Sequence, residues 1–113
     1  MTATITPAYT KQSWEQETIK INWSERSESL VRDGYAISAT AITISDSTGT
    51  SMNATMLEGV PTYSGTNVFF TVKAGTDGES YNCRVQVTLT LAGYDNQQQE
   101  GDLLITVTDE SAI

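Results

Sequence analysis

The side chains that could carry chemistry in this sequence are 14 carboxylates and one cysteine, and there is no histidine among the 113 residues. Histidine is the commonest general base and a common metal ligand, so its absence removes the usual partner of a nucleophile. Cys83 lies within an alternating run of apolar and polar residues, which predicts a small buried side chain rather than a reactive thiol. We therefore expect no catalytic residue and a protein that is not an enzyme.

Several of the carboxylates cluster in segments with turn-forming composition. Asp77 and Glu79 share one such segment, and Asp95, Glu100 and Asp102 lie in or beside another. Paired carboxylates can hydrolyse glycosides, and carboxylates near turns suit calcium. Neither segment has the spacing of a calcium-binding loop, and surface carboxylates are commonly only solvated. We therefore predict no metal and no cofactor, with calcium as the alternative.

The formal net charge is −8, from 6 basic and 14 acidic residues. A negative chain repels phosphate, which argues against nucleic acid and anionic membranes as partners. The charge could serve solubility alone or match a basic protein partner.

The single cysteine cannot form an internal disulfide, so the fold must depend on packing. The first ten residues lack the basic and apolar regions of a secretory signal, and no apolar run approaches the ~20 residues that cross a bilayer. We expect synthesis and folding in a reducing cytoplasm.

The elements that would position these side chains are β-strands. Residues from Tyr81 to Leu91 alternate strictly between apolar and polar, which is typical of a strand with one buried face. A break with turn composition follows at 92–96, and then Leu103, Ile105 and Val107 alternate again. This pattern predicts a long β-hairpin at the centre of a sheet.

Shorter strands are predicted elsewhere by the same periodicity. The predicted strand Tyr35–Ser45 should direct Ala36, Thr40, Ile42 and Ile44 inward. Pro61 should end the predicted strand Thr50–Leu57, because proline lacks the N–H donor that a strand ladder needs. The strands are Thr18–Trp23, Tyr35–Ser45, Thr50–Leu57 and Asn67–Ala74.

About seven short strands with no long helical period predict a single all-β antiparallel sandwich. We place it at residues 17–109, after an extended arm at 1–16 and before a tail at 110–113. Residues 24–34 are polar, with Leu30 their strongest core candidate, and could hold one helical turn.

The segment from Asp77 to Cys83 resembles the tyrosine corner that opens the sixth strand of immunoglobulin domains. That resemblance implies that the Tyr81 hydroxyl bonds back to the preceding turn. Trp23 could fill the core, although it lies on an earlier strand than the usual tryptophan. The expected fold is an immunoglobulin-like sandwich without a disulfide.

The order of features also resembles small immunoglobulin-like structural proteins of tailed bacteriophages. The resemblance implies a non-enzymatic virion protein, made in the host bacterial cytoplasm, that docks as an adaptor or accessory at the tail, fibre or neck. Capsid decoration is the alternative. The implied partners are other virion proteins, with self-association left open. The Gln-rich link before the last strand departs from the family pattern. The matching pieces are Ile19–Ser24, Leu30 with Gly34, Tyr35–Ser45, Gly75–Gly78, Tyr81–Leu91 and Leu103–Val107.

Protein contact is the remaining signal. Trp14 is the one large apolar group of the arm, and its position beside Glu15 and Glu17 predicts a partly buried edge contact. An anchor into a partner protein is the alternative, since tryptophan often leads interfaces. Phe69 and Leu104 should point to the solvent-exposed face of their strands, although scattered exposed apolar residues are common. A rival prediction is a carbohydrate-binding module that uses Tyr63, Tyr94 and the loop at Gln97–Gln99.

Overall fold

The computed structural model describes residues 2–4, 9–25 and 34–109. These residues form eight strands in two sheets, together with two single-turn helices. The strands are β1 (Thr2–Thr4), β2 (Tyr9–Lys11), β3 (Glu17–Asn22), β4 (Ala36–Ser45), β5 (Leu57–Ser64), β6 (Asn67–Val72), β7 (Ser80–Thr90) and β8 (Gln97–Val107), and the helices are a 3₁₀ turn at Trp23–Glu25 and α1 (Asn53–Met56).

The larger sheet is built on the predicted hairpin. β7 pairs antiparallel with β8 on one side and with β4 on the other. The two N-terminal strands, β1 and β2, both pair with β8 in the parallel sense. The pairing of Cys83 with Leu103 and of Tyr81 with Ile105 places the apolar set of both hairpin strands on one face.

The smaller sheet has the order β3-β6-β5 and is antiparallel throughout. If β3 to β8 are taken as the second to seventh strands of an immunoglobulin domain, the two sheets have the strand composition of that fold. The difference is at the N-terminus, where the first strand joins the last strand instead of the smaller sheet.

A single apolar core fills the space between the sheets. It takes alternate residues from β3, β4, β6, β7 and β8, as the period-2 pattern predicts. Trp23 and Cys83 are fully buried within it, and Cys83 is a free thiol. An all-β sandwich without a disulfide is therefore confirmed. The buried apolar residues are Ile19, Ile21, Trp23, Ile37, Ile42, Ile44, Met56, Val68, Phe70, Val72, Tyr81, Cys83, Val85, Val87, Leu89, Leu103, Ile105 and Val107.

The sandwich begins earlier than the predicted boundary between residues 16 and 17. Tyr9–Lys11 pairs with β8, and Lys11 is only 1% exposed. Thr2–Thr4 pairs with β8 as well, so the described residues 2–4 and 9–16 belong to the sandwich and not to an extended arm. Three residues are too few for periodicity to reveal the strand, since its stability comes from pairing with β8.

The segment around Pro61 differs from the prediction. Asn53–Met56 forms a helical turn inside the strand predicted at Thr50–Leu57, and β5 then runs through Glu58 to Pro61. The pairing of β5 with β6 shifts between Glu58 and Thr62. Proline is tolerated there because an edge strand with an irregular ladder does not need its missing donor.

Two further details of the larger sheet differ from expectation. The pairing of β4 with β7 shifts between Ile37 and Ala39, so Ile37 is buried while Ala36 is exposed. β8 begins at Gln97, within the predicted link, because Gln97 and its neighbours pair with the end of β7. Backbone pairing accepts almost any side chain, so glutamines can extend a strand.

Some expectations lie outside the described residues. They are the helical turn predicted within residues 24–34, where 26–33 are not described, the core position of Leu30, and the tail at 110–113. Residues 1 and 5–8 of the predicted arm are not described either. Among the described residues, no helix has the length and apolar character to cross a bilayer.

Candidate protein-interaction surface

Trp14 is the most exposed large apolar side chain of the described residues, at 93%. It lies in the turn between β2 and β3. The backbone N–H of Glu15 donates to the carbonyl of Gln12 at 3.1 Å, and the Glu15 carboxylate accepts from the N–H of Gln12 at 2.6 Å. The indole therefore projects from a closed turn rather than from a loose arm, and it is not the partly buried edge contact expected of an ordinary surface tryptophan.

The end of β8 holds this turn in place. The Asp109 carboxylate accepts from the backbone N–H of Ser13 at 2.6 Å and from its hydroxyl at 2.8 Å. These bonds lower the pKa of Asp109, the backbone bond having the larger effect. The N–H of Asp109 in turn donates to Asp77 Oδ1 at 2.8 Å, which connects the turn to the loop before β7.

Lys11 makes a second connection to that loop. Its buried ammonium donates to the carbonyl oxygens of Gln12 and Ala74, both at 2.6 Å. Ala74 has φ +55°, an uncommon conformation for a residue with a side chain. Burial lowers the pKa of Lys11, and the nearby carboxylates of Glu15, Asp109 and Glu17 oppose that effect.

Tyr81 fixes the other side of the loop. Its side chain is buried at the start of β7, and its hydroxyl accepts from the backbone N–H of Thr76 at 2.9 Å. The bond runs back to the turn five residues upstream, as the immunoglobulin resemblance implies. Asp77 contributes differently, through its bond to the N–H of Asp109.

These contacts define one end of the sandwich, which we call the Trp14 pole. It consists of the β2–β3 turn at 12–16, the turn after β4 at 46–52, the loop at 73–79 and the end of β8 at 107–109. The turn after β4 belongs to it because Asp46, Glu79 and Tyr81 line a common hollow. Asp46 is internally bonded, and the Thr48 hydroxyl is the main cause of its lowered pKa.

The other predicted interface residues do not join this surface. Phe69 is half-buried on the outer face of the smaller sheet, between Lys20 and Thr62 on the neighbouring strands. Leu104 is 48% exposed on the outer face of the larger sheet, opposite Asn82. Because the two faces point away from each other, Phe69 and Leu104 cannot form one patch.

A hollow of about 480 Å³ lies on the outer face of the larger sheet. Small side chains on β4, Ala39 and Ala41, form one side of it. Longer polar side chains on β7 and β8, including Gln86, Gln98 and Glu100, form the other. The hollow forms because the short alanine side chains of β4 lie in register with the longer glutamine and glutamate side chains of β7 and β8.

The tyrosines expected to accompany the glutamines are not among the residues that line this hollow. The Tyr63 hydroxyl donates to the Ser38 carbonyl at 2.6 Å, which brings Tyr63 to the edge of β4 beside the hollow. Tyr94 is 68% exposed in the turn between β7 and β8. Gln99 faces inward, and the Trp23 indole donates to its side-chain oxygen at 3.0 Å.

Three of the groups considered for catalysis, Cys83, Glu100 and Asp102, have structural roles. Burial raises the pKa of the Cys83 thiol to about 12, with a smaller contribution from Asp102. Glu100 and Asp102 flank the Arg84 guanidinium at 3.6 and 3.1 Å, and Asp102 is the main cause of its raised pKa. In the described part of the chain, no three potential ligands of the histidine, cysteine and carboxylate types converge on a metal position.

Sequence reasoning missed Lys11, Ser13 and Asp109 as parts of this surface. A lysine in a short polar segment carries no signal of burial, because its burial depends on a carbonyl contributed 63 residues later. The Ser13–Asp109 pair is likewise separated by 96 residues.

No protein-family model and no curated protein matches the chain.

Proposed function

We propose that this protein is a non-enzymatic structural protein that docks on another protein through the Trp14 pole. The Trp14 indole carries the proposal, because it is 93% exposed and yet held by a closed turn. A large apolar side chain kept in water by a rigid support loses little conformational entropy on binding. Tryptophans in such positions commonly supply a large part of the binding free energy of an interface.

The resemblance to immunoglobulin-like proteins of tailed phages extends the proposal to a place of action. We assign the chain to the virion as an adaptor or accessory protein at the tail, fibre or neck, with capsid decoration as the alternative. A rigid sandwich with a docking pole suits this role, because assembly requires fixed geometry. The raised pKa of the buried Cys83 thiol supports a role without nucleophilic catalysis.

Immunogold electron microscopy tests this assignment. Antibodies against the purified protein are applied to particles of the phage that encodes it, and we expect labelling at the tail, fibre or neck. Labelling across the head would favour the decoration alternative. Protein found in the infected cell but not on any particle would contradict a virion role.

A carbohydrate-binding module is the second candidate, and the hollow on the larger sheet favours it. Its volume of about 480 Å³ falls within the range of small-ligand pockets. Gln86 and Gln98 present amide groups there, and amides can both donate to and accept from sugar hydroxyls.

A glycan array distinguishes this candidate from a purely structural role. Specific binding that is lost in Gln98→Ala and kept in Trp14→Ala would support the sugar site. An array without any signal would leave only the structural proposal.

A further inference from the structure

The surroundings of Trp14 are strongly acidic. Carboxylates occur in each of the four segments of the Trp14 pole or directly beside it. Two of them, Asp46 and Asp109, accept hydrogen bonds that lower their pKa, so they stay ionised in mildly acidic solution. The six residues are Glu15, Glu17, Asp46, Asp77, Glu79 and Asp109.

The described basic residues compensate this charge only in part. Lys11 lies directly beside the pole and interacts with Glu15, Glu17 and Asp109, but it is 1% exposed and its ammonium points at carbonyl oxygens. Lys73, the first residue of the loop at 73–79, is bound to Glu58 at 2.6 Å, and Arg84 is bound to Asp102 and Glu100 on the larger sheet. Lys20 is exposed in the middle of β3, where it faces outward beside Phe69.

The charge and the indole together restrict the partner. A second copy of the same pole would bring like charges together, and like-charge contacts across an interface are costly. Nucleic acid and anionic lipid are repelled for the same reason. A cationic protein surface is attracted, and an apolar recess in it would remove the indole from water.

We propose that the Trp14 pole docks on a basic protein surface that receives the indole in an apolar recess bordered by arginine or lysine. This proposal rests on the docking function given above. Cations over the indole face would add a cation–π contribution, which is largest for tryptophan. The carboxylates around it steer the encounter and fix its orientation, while Trp14 supplies most of the affinity.

The test is a binding measurement with particles from a phage whose copy of this gene carries an early stop codon. Fluorescently labelled wild-type protein is titrated onto them, together with Trp14→Ala and Glu79→Lys. Neither variant should alter folding, because Trp14 is 93% exposed and Glu79 is an exposed loop residue. Circular dichroism and a thermal melt verify this.

We expect Trp14→Ala to weaken binding by about 30-fold or more, as for an interface anchor. Glu79→Lys should weaken it by about tenfold, and raising NaCl from about 50 to about 500 mM should weaken wild-type binding. Two exposed residues outside the pole, in the turn between β7 and β8, supply matched controls. Tyr94→Ala and Asp95→Lys should bind like the wild type.

Two results would overturn the inference while leaving the docking function intact. In the first, wild-type protein binds but Trp14→Ala binds equally well. In the second, Glu79→Lys binds equally well or more tightly, which would indicate a neutral or acidic partner. Wild-type protein that does not bind the particles at all would instead contradict the proposed function.

A photo-crosslinker beside Trp14 identifies the occupant directly. Benzoylphenylalanine in place of the exposed Gln16, which leaves the indole intact, should attach on the same particles to a peptide of another virion protein that is rich in arginine or lysine. Attachment to a second copy of this chain, or to an acidic peptide, would contradict a basic partner.

Discussion

Lys11 shows how much one side chain can contribute to a loop. It is the one fully buried charged residue of the described chain, and its ammonium makes two hydrogen bonds of 2.6 Å to carbonyl oxygens. Burying an ammonium without partners is costly, so these bonds are required for its burial. One of the acceptors belongs to Ala74, which has positive φ, so Lys11 helps hold that strained residue.

Cys83 should be almost inert in the folded protein. Its pKa rises from 9.0 to about 12, so the thiolate fraction near neutral pH falls by about a thousandfold. We expect alkylation by iodoacetamide at about pH 8 to be at least that much slower than in urea-unfolded protein. Mass spectrometry of timed samples measures the rate. A folded-state rate close to the unfolded one would show that the core opens readily.

Gly75 should tolerate no side chain. It has φ +98°, and a Cβ there would lie 2.7 Å from Val107 Cγ2 and 3.1 Å from Met56 Cε. We expect Gly75→Ala to lower the free energy of unfolding by about 3 kcal/mol, from overpacking and backbone strain together. Urea denaturation measures the change.

Gly49→Ala is the matched control, because Gly49 has φ +87° but no atom within 4 Å of its Cβ position. Gly49→Ala should lower the free energy of unfolding by only about 1 kcal/mol, which is the cost of backbone strain without overpacking. Equal losses in the two variants would mean that packing against Val107 is unimportant.

At the scale of elements, β4 is an edge strand whose free side is covered by side chains. The Asn53 amide donates to the carbonyl of Ile42 at 2.8 Å and accepts from the N–H of Ile44 at 2.7 Å. The Tyr63 hydroxyl likewise donates a hydrogen bond to the carbonyl of Ser38 on this edge. Covered edges resist pairing with other chains, so α1 and β5 protect β4 from aggregation.

Asn53→Ala should expose that edge. The loss of two backbone partners predicts a decrease of about 1–2 kcal/mol in the free energy of unfolding and faster aggregation on heating. Thermal unfolding followed by light scattering measures both. Asn96→Ala, in the exposed turn between β7 and β8, should change neither. Unchanged aggregation in Asn53→Ala would contradict the protective role.

The link between Asp109 and the β2–β3 turn should depend on pH. The folded-state pKa of Asp109 is lowered, so its stabilising contribution is complete above the unfolded pKa of about 3.9 and is lost as pH falls through the lower folded value. Wild-type protein should therefore exceed Asp109→Asn in stability near pH 6 but not near pH 2. Urea denaturation at both pH values measures the difference. A difference that persists at the lower pH would exclude the carboxylate as its source.

At the scale of the whole molecule, charge and shape oppose self-association. The net charge is −8, and the apolar residues on the outer faces are divided between the two sheets. Leu104 and Phe69 each stand among polar neighbours, on faces that point in opposite directions. Neither sheet therefore presents the wide apolar surface that a permanent oligomer requires.

We therefore expect a monomer in solution. Multi-angle light scattering at low ionic strength should give a mass close to the 12.3 kDa of the chain over a wide concentration range. Because salt screens the repulsion between negatively charged copies, the measurement is repeated at high ionic strength. A closed oligomer at low salt would mean that a surface other than the Trp14 pole joins copies of the chain.

The candidate surface was only partly predictable. For Trp14 the sequence left two possibilities, a partly buried edge contact and an interface anchor, and the structure shows an exposed side chain. Phe69 and Leu104 were assigned to outward positions correctly, but their separation on two faces follows from which sheet each strand joins. The hollow depends on the register of β4, which a shift between Ile37 and Ala39 sets.

The sequence by itself determined the fold class and most of the core. Strict alternation from Tyr81 to Leu91, and its repetition in the other strands, leaves only one way to bury a continuous apolar face. The sequence also determined the acidic character of the chain and the lack of a disulfide.

Only the tertiary structure decided how the Trp14 pole is built. The pairing of Tyr9–Lys11 with β8, the burial of Lys11 and the bond from Ser13 to Asp109 all join segments that are far apart in the chain. The physical reason is that alternation reports which side of a strand meets the core. It carries no information about which distant carbonyl or carboxylate will satisfy a polar group, since that depends on how the strands are arranged in space.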